Sequence, residues 1–409
     1  MRILLIGVMY EPDLGPGAPL FTMLSRGLVE LGHQVTVLTA VPHYPTGQVQ
    51  KEFRCKWAWR SVENGVNVVR VGLPSVNRAK LVQRFFQFLC FQIGAALSGL
   101  NQKYDVVLAG NSFLTVWLPF ALLGVLKHKP IVYSVQDVYP DVGIKLGIFK
   151  NKFVIEAASW LERYCLFHSA IVQIISDSFR PGLRALGVSD DKMALVYNWV
   201  DTDLIHPTSR SNSFAQEQNL MDRFVVLYAG NIGLSQDLEQ VLDAAEQLAD
   251  HNDLLFLFIG DGLGRNPLMA EAKKRQLTNV QFLPFQPRER LPEVLACADI
   301  SLVILRQGIG MDSVPSKTLS ILASGRPIVV GADEESDLCS LVRSADAGLC
   351  VRPGSSSDLV RAILTLKEDK HLRERMGQNG RIWAEKHHSP RLAAEKFENL
   401  LMQAIASKK

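Results

Sequence analysis

Short apolar runs alternate with amphipathic stretches along the first half of the chain. The runs are typical of buried strands, and the stretches repeat apolar residues at the spacing of helices that pack on a sheet. The pattern predicts strands at Ile3–Gly7, Gln34–Thr39, Val66–Val71, Val106–Ala109, Ile131–Val135 and Ala170–Ile175. It predicts helices between them at Leu20–Leu31, Val82–Leu100 and Lys152–Phe167.

The alternation stops between Asp201 and Phe224, where Pro207–Ser213 is polar, and this segment is the predicted linker. The alternation then resumes. It predicts strands at Val225–Gly230, Leu254–Gly260, Val280–Phe282, Ile300–Leu305 and Gly348–Val351. It predicts helices at Asp237–Asp250, Pro267–Arg275, Leu291–Cys297, Ser357–Leu366, Lys370–Glu385 and Pro390–Ile405.

Strands and helices that alternate in this way form parallel sheets covered by helices on both faces. A chain of 409 residues is long enough for two domains, each with its own core. We therefore predict an α/β fold with two doubly wound, Rossmann-like domains, at residues 1–205 and 206–387. Such sheets bind ligands at the carboxyl ends of their strands, here expected in a central cleft between the domains.

Two segments raise the question of a membrane. Val106–Leu126 has no charge and is about as long as a bilayer span. Gly110 and Pro119 interrupt it, so we favour a strand, a turn and a buried helix. Ala79–Leu100 places basic residues before several phenylalanines. This pattern fits a helix at a membrane interface and equally a helix that faces the core.

The bulk composition narrows the class of protein. Hydrophobic residues make up 47% and charged residues 21%, which excludes a disordered or fibrous chain. A net charge of +3 gives no reason to expect nucleic acid, because nucleic-acid binders concentrate positive charge. The six cysteines form no Cys-x-x-Cys pair, which predicts buried free thiols in a reducing cytosol. Met1–Gly7 becomes polar too soon for a signal peptide and is expected to form the first strand.

The strongest functional signal lies between Ile300 and Val330. An apolar strand leads into glycines at 308 and 310 and then into a helix that starts near Pro315. Backbone N–H groups of such a loop and helix start can hold a phosphate, and Lys317 adds a mobile cation. The candidate residues of this segment are Arg306, Gly310, Asp312, Ser313, Val314, Pro315, Ser316, Lys317 and Ser320.

Further motifs follow other predicted strands. The loop Tyr10–Gly17 contributes Gly15 and Gly17, and Tyr228–Gly233 begins the second half of the chain. The candidate residues of this second loop are Gly230, Asn231, Gly233 and Gln236. Two more motifs are Phe282-Leu283-Pro284-Phe285 and Gln136-Asp137-Val138-Tyr139-Pro140-Asp141.

Taken in order, these motifs resemble retaining glycosyltransferases of the two-Rossmann-domain GT-B type, family 4, over nearly the whole chain. The segment Gln136–Asp141 resembles a bacterial branch that makes cell-surface polysaccharides of the O-antigen and colanic-acid kind. The resemblance implies transfer of a sugar, such as an N-acetylhexosamine, from a UDP-sugar donor to a lipid-linked or saccharide acceptor. It implies no cofactor and no metal ion. It also implies that the last helix, within residues 388–409, crosses back onto the first domain.

The resemblance assigns roles, and several positions depart from the family pattern. Asp312 stands where the family's first acid contacts sugar hydroxyls, and Ser320 stands where a second acid binds the ribose. Asn231 and Gln236 occupy places where many relatives hold an Arg and a Lys for the diphosphate. Phosphate binding is then expected to fall to backbone amides at Gly230–Gly233 and in the loop before the helix, and to Lys317 or Arg306.

Two other assignments leave alternatives open. Phe285 lies where relatives stack the nucleobase, and a core position explains it equally. Asp137 follows a strand end and would position the acceptor hydroxyl or assist its deprotonation, whereas a turn aspartate before Pro140 is the structural alternative. Asp333–Asp337 is expected to be a solvated turn rather than a metal site.

Two other functions share the predicted fold. One is a catalytically weakened relative that binds nucleotide, and the other is a nucleotide-sugar epimerase, for which we find no set of acids and histidines. We also expect a cytoplasmic protein, peripheral on an anionic inner leaflet. The basic residues of that membrane contact would be Arg78, Lys80 and Arg84.

Overall fold

The computed structural model describes residues 1–13, 15, 17–44, 46–54, 56–77, 80–110, 113–138, 151–233, 235–308 and 315–408. The chain divides into two compact units. Unit 1 comprises Met1–Asn198 and Pro390–Lys409, and unit 2 comprises Trp199–Ser389. Gly310, Asp312, Ser313, Val314 and Arg78 lie outside the described residues, as does the whole segment 139–150.

Unit 1 is built on one sheet of eight strands. In chain order these are β1 Arg2–Ile6, β2 Gln34–Ala40, β3 Ala58–Glu63, β4 Val66–Val71, β5 Val106–Gly110, β6 Ile131–Val135, β7 Ile171–Ile174 and β8 Met193–Leu195. Their order across the sheet is β3-β4-β2-β1-β5-β6-β7-β8. All neighbours are parallel except β3 and β4, which form an antiparallel hairpin.

Helices cover this sheet. They are α1 Ala18–Glu30, α2 Leu81–Gly99, α3 Phe113–Pro119, α4 Lys152–His168 and α5 Phe179–Ala185. A wider helical turn, Phe120–Val125, extends α3. A further helix, Pro390–Ala406, also belongs to unit 1. It packs on α1 at Gly27, where a Cβ atom would lie only 2.7 Å from that of Ala394, and His33 Nε2 lies 2.7 Å from Glu398 Oε1.

Unit 2 holds a wholly parallel sheet of six strands. They are β9 Phe224–Ala229, β10 Leu254–Ile259, β11 Val280–Leu283, β12 Ile300–Ile304, β13 Ile328–Gly331 and β14 Gly348–Val351, in the order β11-β10-β9-β12-β13-β14. The helices are α6 Ser213–Glu217, α7 Glu239–Gln247, α8 Arg265–Lys274, α9 Leu291–Ala296, α10 Lys317–Ala323, α11 Asp337–Ser344, α12 Ser356–Glu368 and α13 Lys370–His388. Pro390–Ala406 is accordingly α14.

The order of the strands fixes where each sheet has a switch point. In unit 1, the chain leaves β1 toward β2 on one side, and β5 lies on the other side. In unit 2, β9 lies between β10 and β12 in the same way. Loops that leave neighbouring strands in opposite directions open a crevice at the carboxyl ends of those strands. The loops after β9, β10 and β12 are therefore the first place to look for a ligand site.

The predicted linker is not a free connection. Val200 N donates to His388 O at 2.9 Å, and Arg210 pairs with Asp299 at 3.1 Å. Arg326 donates to Thr208 O at 3.1 Å. The segment is therefore part of unit 2. The boundary between the units lies at Asn198–Trp199, before the boundary predicted at residue 205.

The uncharged run Val106–Leu126 is part of the core. It forms β5, α3 and the turn after it, and Val116, Phe120 and Leu123 are fully buried. In the described part of the chain, no helix is long and apolar enough to cross a membrane. The explanation by a strand, a turn and a buried helix is therefore the correct one.

Helix α2 has two apolar faces. Phe91 and Ala95 are fully buried and pack against β2 and β4 residues of unit 1. The opposite face is exposed and also apolar. Its side chains are Val82, Phe85, Phe86, Leu89, Ile93 and Leu97. Packing on the core therefore explains only half of the aromatic character of this helix.

Candidate functional site

The loops after β9 and β10 lie backbone against backbone. Ile232 N donates to Asp261 O at 2.8 Å, and Gly264 N donates to Ile232 O at 2.9 Å. Gly260 has φ +150°, and a Cβ atom there would lie 1.8 Å from Gly230 O. Only glycine permits this approach. The glycines of these loops thus form a backbone wall at the switch point of the sheet.

Several amides of this wall already have partners. Gly230 N donates to Ile259 O at 2.9 Å, and Gly233 N donates to Gln236 Oε1 at 3.0 Å. The carbonyl oxygen of Asn231 accepts from the Tyr228 hydroxyl at 2.6 Å. The amides of Gly230 and Gly233, predicted as phosphate donors, are therefore engaged within the protein. A bound phosphate would therefore need side chains as its partners.

Lys317 is the side chain in position to bind a phosphate. It is the first residue of α10, and its Nζ lies 3.6 Å from the centre of the Tyr228 ring. Its Cδ would lie 3.6 Å from a Cβ atom at Gly230. Lys317 therefore lies beside the backbone wall, and its ammonium contacts the face of a buried aromatic ring.

The Lys317 ammonium is buried, and no described residue accepts a hydrogen bond from it. Burial lowers the pKa of Lys317 to about 7. An ammonium that has lost its water without gaining an anion is costly, and an incoming anion removes that cost. The same burial raises the pKa of the Tyr228 hydroxyl, so the ring stays neutral beside the lysine. The arrangement is suited to an anionic ligand.

The chain after β12 is tied to its neighbours. Arg306 N donates to Ser235 O at 3.0 Å, while the Arg306 side chain lies exposed at the surface. Gly308 N donates to Asp333 Oδ2 at 2.8 Å. Asp333 was predicted to lie in a solvated turn, and this contact corrects that prediction in part. Sequence reasoning missed the contact because the two residues come from different loops.

The other candidates of unit 2 lie around α10 and β11. Pro315 and Ser316 precede α10, and Thr318 N donates to Pro315 O at 2.9 Å. Ser320 lies half-buried within α10. Phe285 is 58% exposed beyond β11, whereas Phe282 stacks on Phe258 with ring centres 4.9 Å apart. Phe285 is thus free to stack on a ligand, and the core alternative for it is wrong.

The candidate loop of unit 1 contains a buried acid that the sequence analysis passed over. Asp13 accepts from Gly15 N at 3.0 Å through one carboxylate oxygen, and from His43 N at 3.0 Å through the other. The His43 Nδ1 atom lies 3.1 Å from Asp13 and 3.0 Å from Val41 O, so Nδ1 carries a proton. Burial raises the pKa of Asp13, but the His43 and Gly15 contacts outweigh it, and the pKa is lowered.

The two glycines of this loop differ in their surroundings. A Cβ atom at Gly15 would collide with Met9 Sδ at 1.9 Å, whereas one at Gly17 would make ordinary contacts of 3.7 Å with Phe21. A side chain at Gly15 would therefore displace Met9, and the Gly15 amide donates to Asp13. The Gly15 amide is therefore not a free donor for a ligand.

Asp137 lies just beyond β6, as predicted. Its side chain remains accessible, yet its surroundings reduce its solvation and raise the pKa of the carboxyl. Because the group is accessible, we expect this rise to be small. Within the described ranges, no group of three or more His, Cys, Asp and Glu side chains could hold a metal ion.

Comparisons with known proteins match each part of the chain to a glycosyl transferase family model. Residues 17–199 match the family model "Glycosyl transferase 4-like domain", and residues 209–383 match "Glycosyl transferases group 1". "Putative colanic acid biosynthesis glycosyl transferase WcaI" of Escherichia coli is 29% identical over 373 residues, which is 89% of this chain and 91% of the relative.

Solved structures resemble the whole chain. Sucrose-phosphate synthase from Thermosynechococcus elongatus has a TM-score of 0.76 at 17% identity and covers 100% of both chains. Anabaena Alr3699/HepE, solved in complex with UDP, has a TM-score of 0.71 at 16% identity and covers 98% of this chain and 100% of its own. These likenesses confirm the predicted fold class, two Rossmann-like α/β domains of the GT-B type.

Proposed function

Because this chain belongs to the glycosyltransferases whose two domain families it matches, we propose that it transfers a sugar from a UDP-sugar to a saccharide or lipid-linked acceptor. The polymer would be a cell-surface polysaccharide, as the name of the WcaI relative suggests. The proposal for the donor rests on the buried ammonium of Lys317, which lies beside the glycine wall and has no hydrogen-bond partner among the described residues. The complex of HepE with UDP supports the choice of nucleotide.

The diphosphate would lie against Lys317. A charged hydrogen bond to phosphate is about twice as strong as a neutral one, and it is stronger still where water is excluded. The exposed ring of Phe285 would stack on the base, and Ser320 would face the ribose. Asn231 and Gln236 carry no charge, so Lys317 supplies the cation that other family members place in that loop.

The reaction would proceed with retention. The bond between the anomeric carbon and the diphosphate oxygen breaks, and the acceptor oxygen bonds to the same face of the sugar. Lys317 stabilises the negative charge that develops on the leaving diphosphate, and a freed phosphate oxygen accepts the proton of the acceptor. Position and charge stabilisation would supply most of the rate, and the ammonium supplies the charge without a metal ion.

The acceptor half is assigned to Asp137. Its carboxylate is accessible beyond β6, and a carboxylate with a raised pKa is suited to hold or accept the proton of a hydroxyl group. The sugar of the donor, including the possibility of an N-acetylhexosamine, is left to the experiment below.

The test is nucleoside diphosphate release from a panel of UDP-, GDP- and ADP-sugars, with and without extracts of lipid-linked saccharide. We expect release from a UDP-sugar and its loss in Lys317→Met. The matched control is Lys274→Met, which removes an exposed lysine of the same unit. Nucleotide binding without release would favour the catalytically weakened alternative. A changed sugar still attached to its nucleotide would indicate the epimerase, and no nucleotide binding would overturn the proposal.

The exposed apolar face of α2 supports the expected membrane contact. Lys80 precedes this face, and Arg84 follows one turn later, so a basic end adjoins a row of exposed apolar side chains. Such a helix fits an anionic lipid surface. Each basic contact is worth about 1 kcal/mol and is screened by salt. We therefore propose a cytoplasmic protein that docks on the inner leaflet, where it would reach a lipid-linked acceptor.

Vesicle flotation tests this contact. Binding should require anionic lipid, fall with salt, and drop when Lys80 and Arg84 are both changed to Gln. A control with the same loss of charge changes Lys370 and Arg375, two exposed residues of α13. Equal recovery with neutral and anionic vesicles, or none with either, would remove the membrane contact and leave the transferase proposal intact.

A further inference from the structure

Two cysteines of unit 2 lie side by side. Cys339 is in the first turn of α11, and Cys350 is in β14, at the edge of the sheet. The Cys350 thiol donates to the backbone oxygen of Cys339 at 3.7 Å, and it is close enough to the Cys339 thiol to lower the pKa of that group. Both are free thiols. Separate elements of the fold therefore hold two sulfur atoms within reach of one another.

The surroundings make one of these thiols more acidic. The hydrogen bond from Cys350 lowers the pKa of Cys339, and Ser336 and the charge of Arg343 add to this effect. Contact with Cys339 and burial raise the pKa of Cys350. The two thiols therefore titrate as a pair: the first proton is lost easily, and the remaining proton lies between the two sulfur atoms. A thiolate is the reactive form of cysteine in oxidation and disulfide exchange.

Access to the pair comes from the edge strand. Cys339 is fully buried, but Cys350 is only half-buried. A small oxidant can therefore reach Cys350 at the surface, and the Cys350 thiol lies 3.7 Å from the backbone oxygen of Cys339. A partly accessible thiol beside a second, acidic thiol is the arrangement of a reversible thiol pair.

We propose that Cys339 and Cys350 form a thiol modification site that closes to a disulfide when a peroxide oxidises it. The Cys350 thiol passes its proton to the Cys339 thiolate as the Cys350 sulfur attacks one peroxide oxygen, the O–O bond breaks, and a sulfenic acid and a hydroxide ion form. The Cys339 thiol gives its proton to this hydroxide, which becomes water. The Cys339 sulfur then displaces the hydroxyl group of the sulfenic acid, which leaves as hydroxide and takes up a proton as the second water. Each thiol loses one hydrogen atom in total, that is, one proton and one electron, and hydrogen peroxide is reduced to two waters.

The site adjoins the candidate nucleotide loop. The Cys339 thiol faces Ala332 O at 3.9 Å, and the next residue, Asp333, accepts from Gly308 N at 2.8 Å. A disulfide would move Cys339 toward β14. This movement would shift the turn at Ala332 and Asp333, which binds the Gly308 amide. Oxidation should therefore change the affinity for UDP. This consequence rests on the proposed function, whereas the thiol site itself does not.

The experiment treats the full-length protein with a small excess of hydrogen peroxide, blocks the remaining thiols and digests with trypsin. Trypsin cleaves after Arg343, between the two cysteines, so the disulfide joins two peptides. We expect this linked pair in the wild type, its loss on reduction, and its absence in Cys350→Ser. The matched control is Cys90→Ser, which removes another half-buried cysteine and should leave the linked pair unchanged.

Peroxide treatment that oxidises Cys350 without forming the linked peptides would overturn the proposal, as would random linkage to other cysteines. Circular dichroism checks that Cys350→Ser is folded. UDP titration of the oxidised and reduced protein tests the coupling, and equal affinities would refute it. If neither form binds UDP, the proposed function fails, and the linked peptides still decide the thiol site.

Discussion

In unit 1, the loop after β1 buries Asp13 with a full set of partners, whereas in unit 2 the start of α10 buries the Lys317 ammonium with none among the described residues. Asp13 holds Gly15 and His43 and so fixes the shape of its own loop. The Lys317 ammonium donates to no described residue and lies over the Tyr228 ring. A buried charge that is satisfied internally serves the fold, and one that is unsatisfied weakens it and is suited to a ligand.

The largest expected effect is a loss of folding stability when Asp13 is changed. Asp13→Asn replaces one carboxylate oxygen, which accepts a hydrogen bond from a backbone N–H group, with an NH2 group, which can only donate. Two donors would then face each other. Breaking a buried pair of this kind costs roughly 3–5 kcal/mol. Urea denaturation should show a loss of this order in the free energy of unfolding.

The matched control for Asp13→Asn is Asp105→Asn. Asp105 pairs with Arg2 at 2.6 Å, but both side chains are partly exposed, at 35% and 44%, so the expected cost is about 1 kcal/mol or less. If Asp13→Asn costs no more than this control, Asp13 does not fix the loop, and the contrast between the two regions fails.

The next largest effect is a loss of affinity for UDP when Lys317 is changed. Lys317→Met keeps the length of the side chain and removes the charge. UDP binding should weaken by about 1.5–3 kcal/mol, or roughly ten- to a hundredfold, as for a lost charged hydrogen bond. Stability should not fall, because the variant removes a buried charge that has no anionic partner in the described part of the chain. Calorimetry and denaturation of the same samples measure both quantities.

Lys274→Met is the control for this variant, since it removes an exposed lysine that pairs with Glu271. It should leave the affinity for UDP unchanged. A folded Lys317→Met that binds UDP as tightly as the wild type would exclude Lys317 from the site. A large loss of stability would show that Lys317 serves the fold, as Asp13 does.

A smaller effect is expected from Ser320→Glu. A carboxylate at this position of α10 can accept from both ribose hydroxyls, which serine cannot. UDP binding should tighten by about 1 kcal/mol, and the gain should vanish with a UDP analogue that lacks both hydroxyls. A folded variant that binds UDP more weakly would place the ribose elsewhere.

Most of the fold follows from the sequence because parallel strands covered on both faces need long apolar runs. The predicted strands of both units match the structure to within a residue or two, as at Gln34–Ala40 and Leu254–Ile259. The hairpin strand β3 was missed because it lies at an edge and exposes Arg60, Ser61 and Val62. Helix α11 was missed because the acids before it suggested a solvated turn.

The site was harder to predict than the fold. Glycine loops and a lysine after a strand are visible in the sequence, so Lys317 was found. The engaged amides of Gly230 and Gly233 were not foreseen, because their partners depend on how two loops pack. The pair of Asp13 and His43 joins residues from two loops that only the order of the strands brings together.

The central claim is that the buried Lys317 ammonium receives the diphosphate, and proton uptake on UDP binding tests it most directly. Burial lowers the pKa of Lys317 to about 7 in the free protein, so at pH 8 the amine is mostly neutral. A bound diphosphate stabilises the ammonium and raises this pKa. Binding at pH 8 must then take up a proton, and the affinity must fall as the pH rises above 7.

Calorimetry at pH 8 in two buffers of different ionisation enthalpy gives the number of protons taken up. We expect the wild type to take up more than half a proton per UDP, and Lys317→Met to take up none from this group. Equal uptake by the two proteins, with UDP bound by both, would contradict the claim that Lys317 holds the diphosphate.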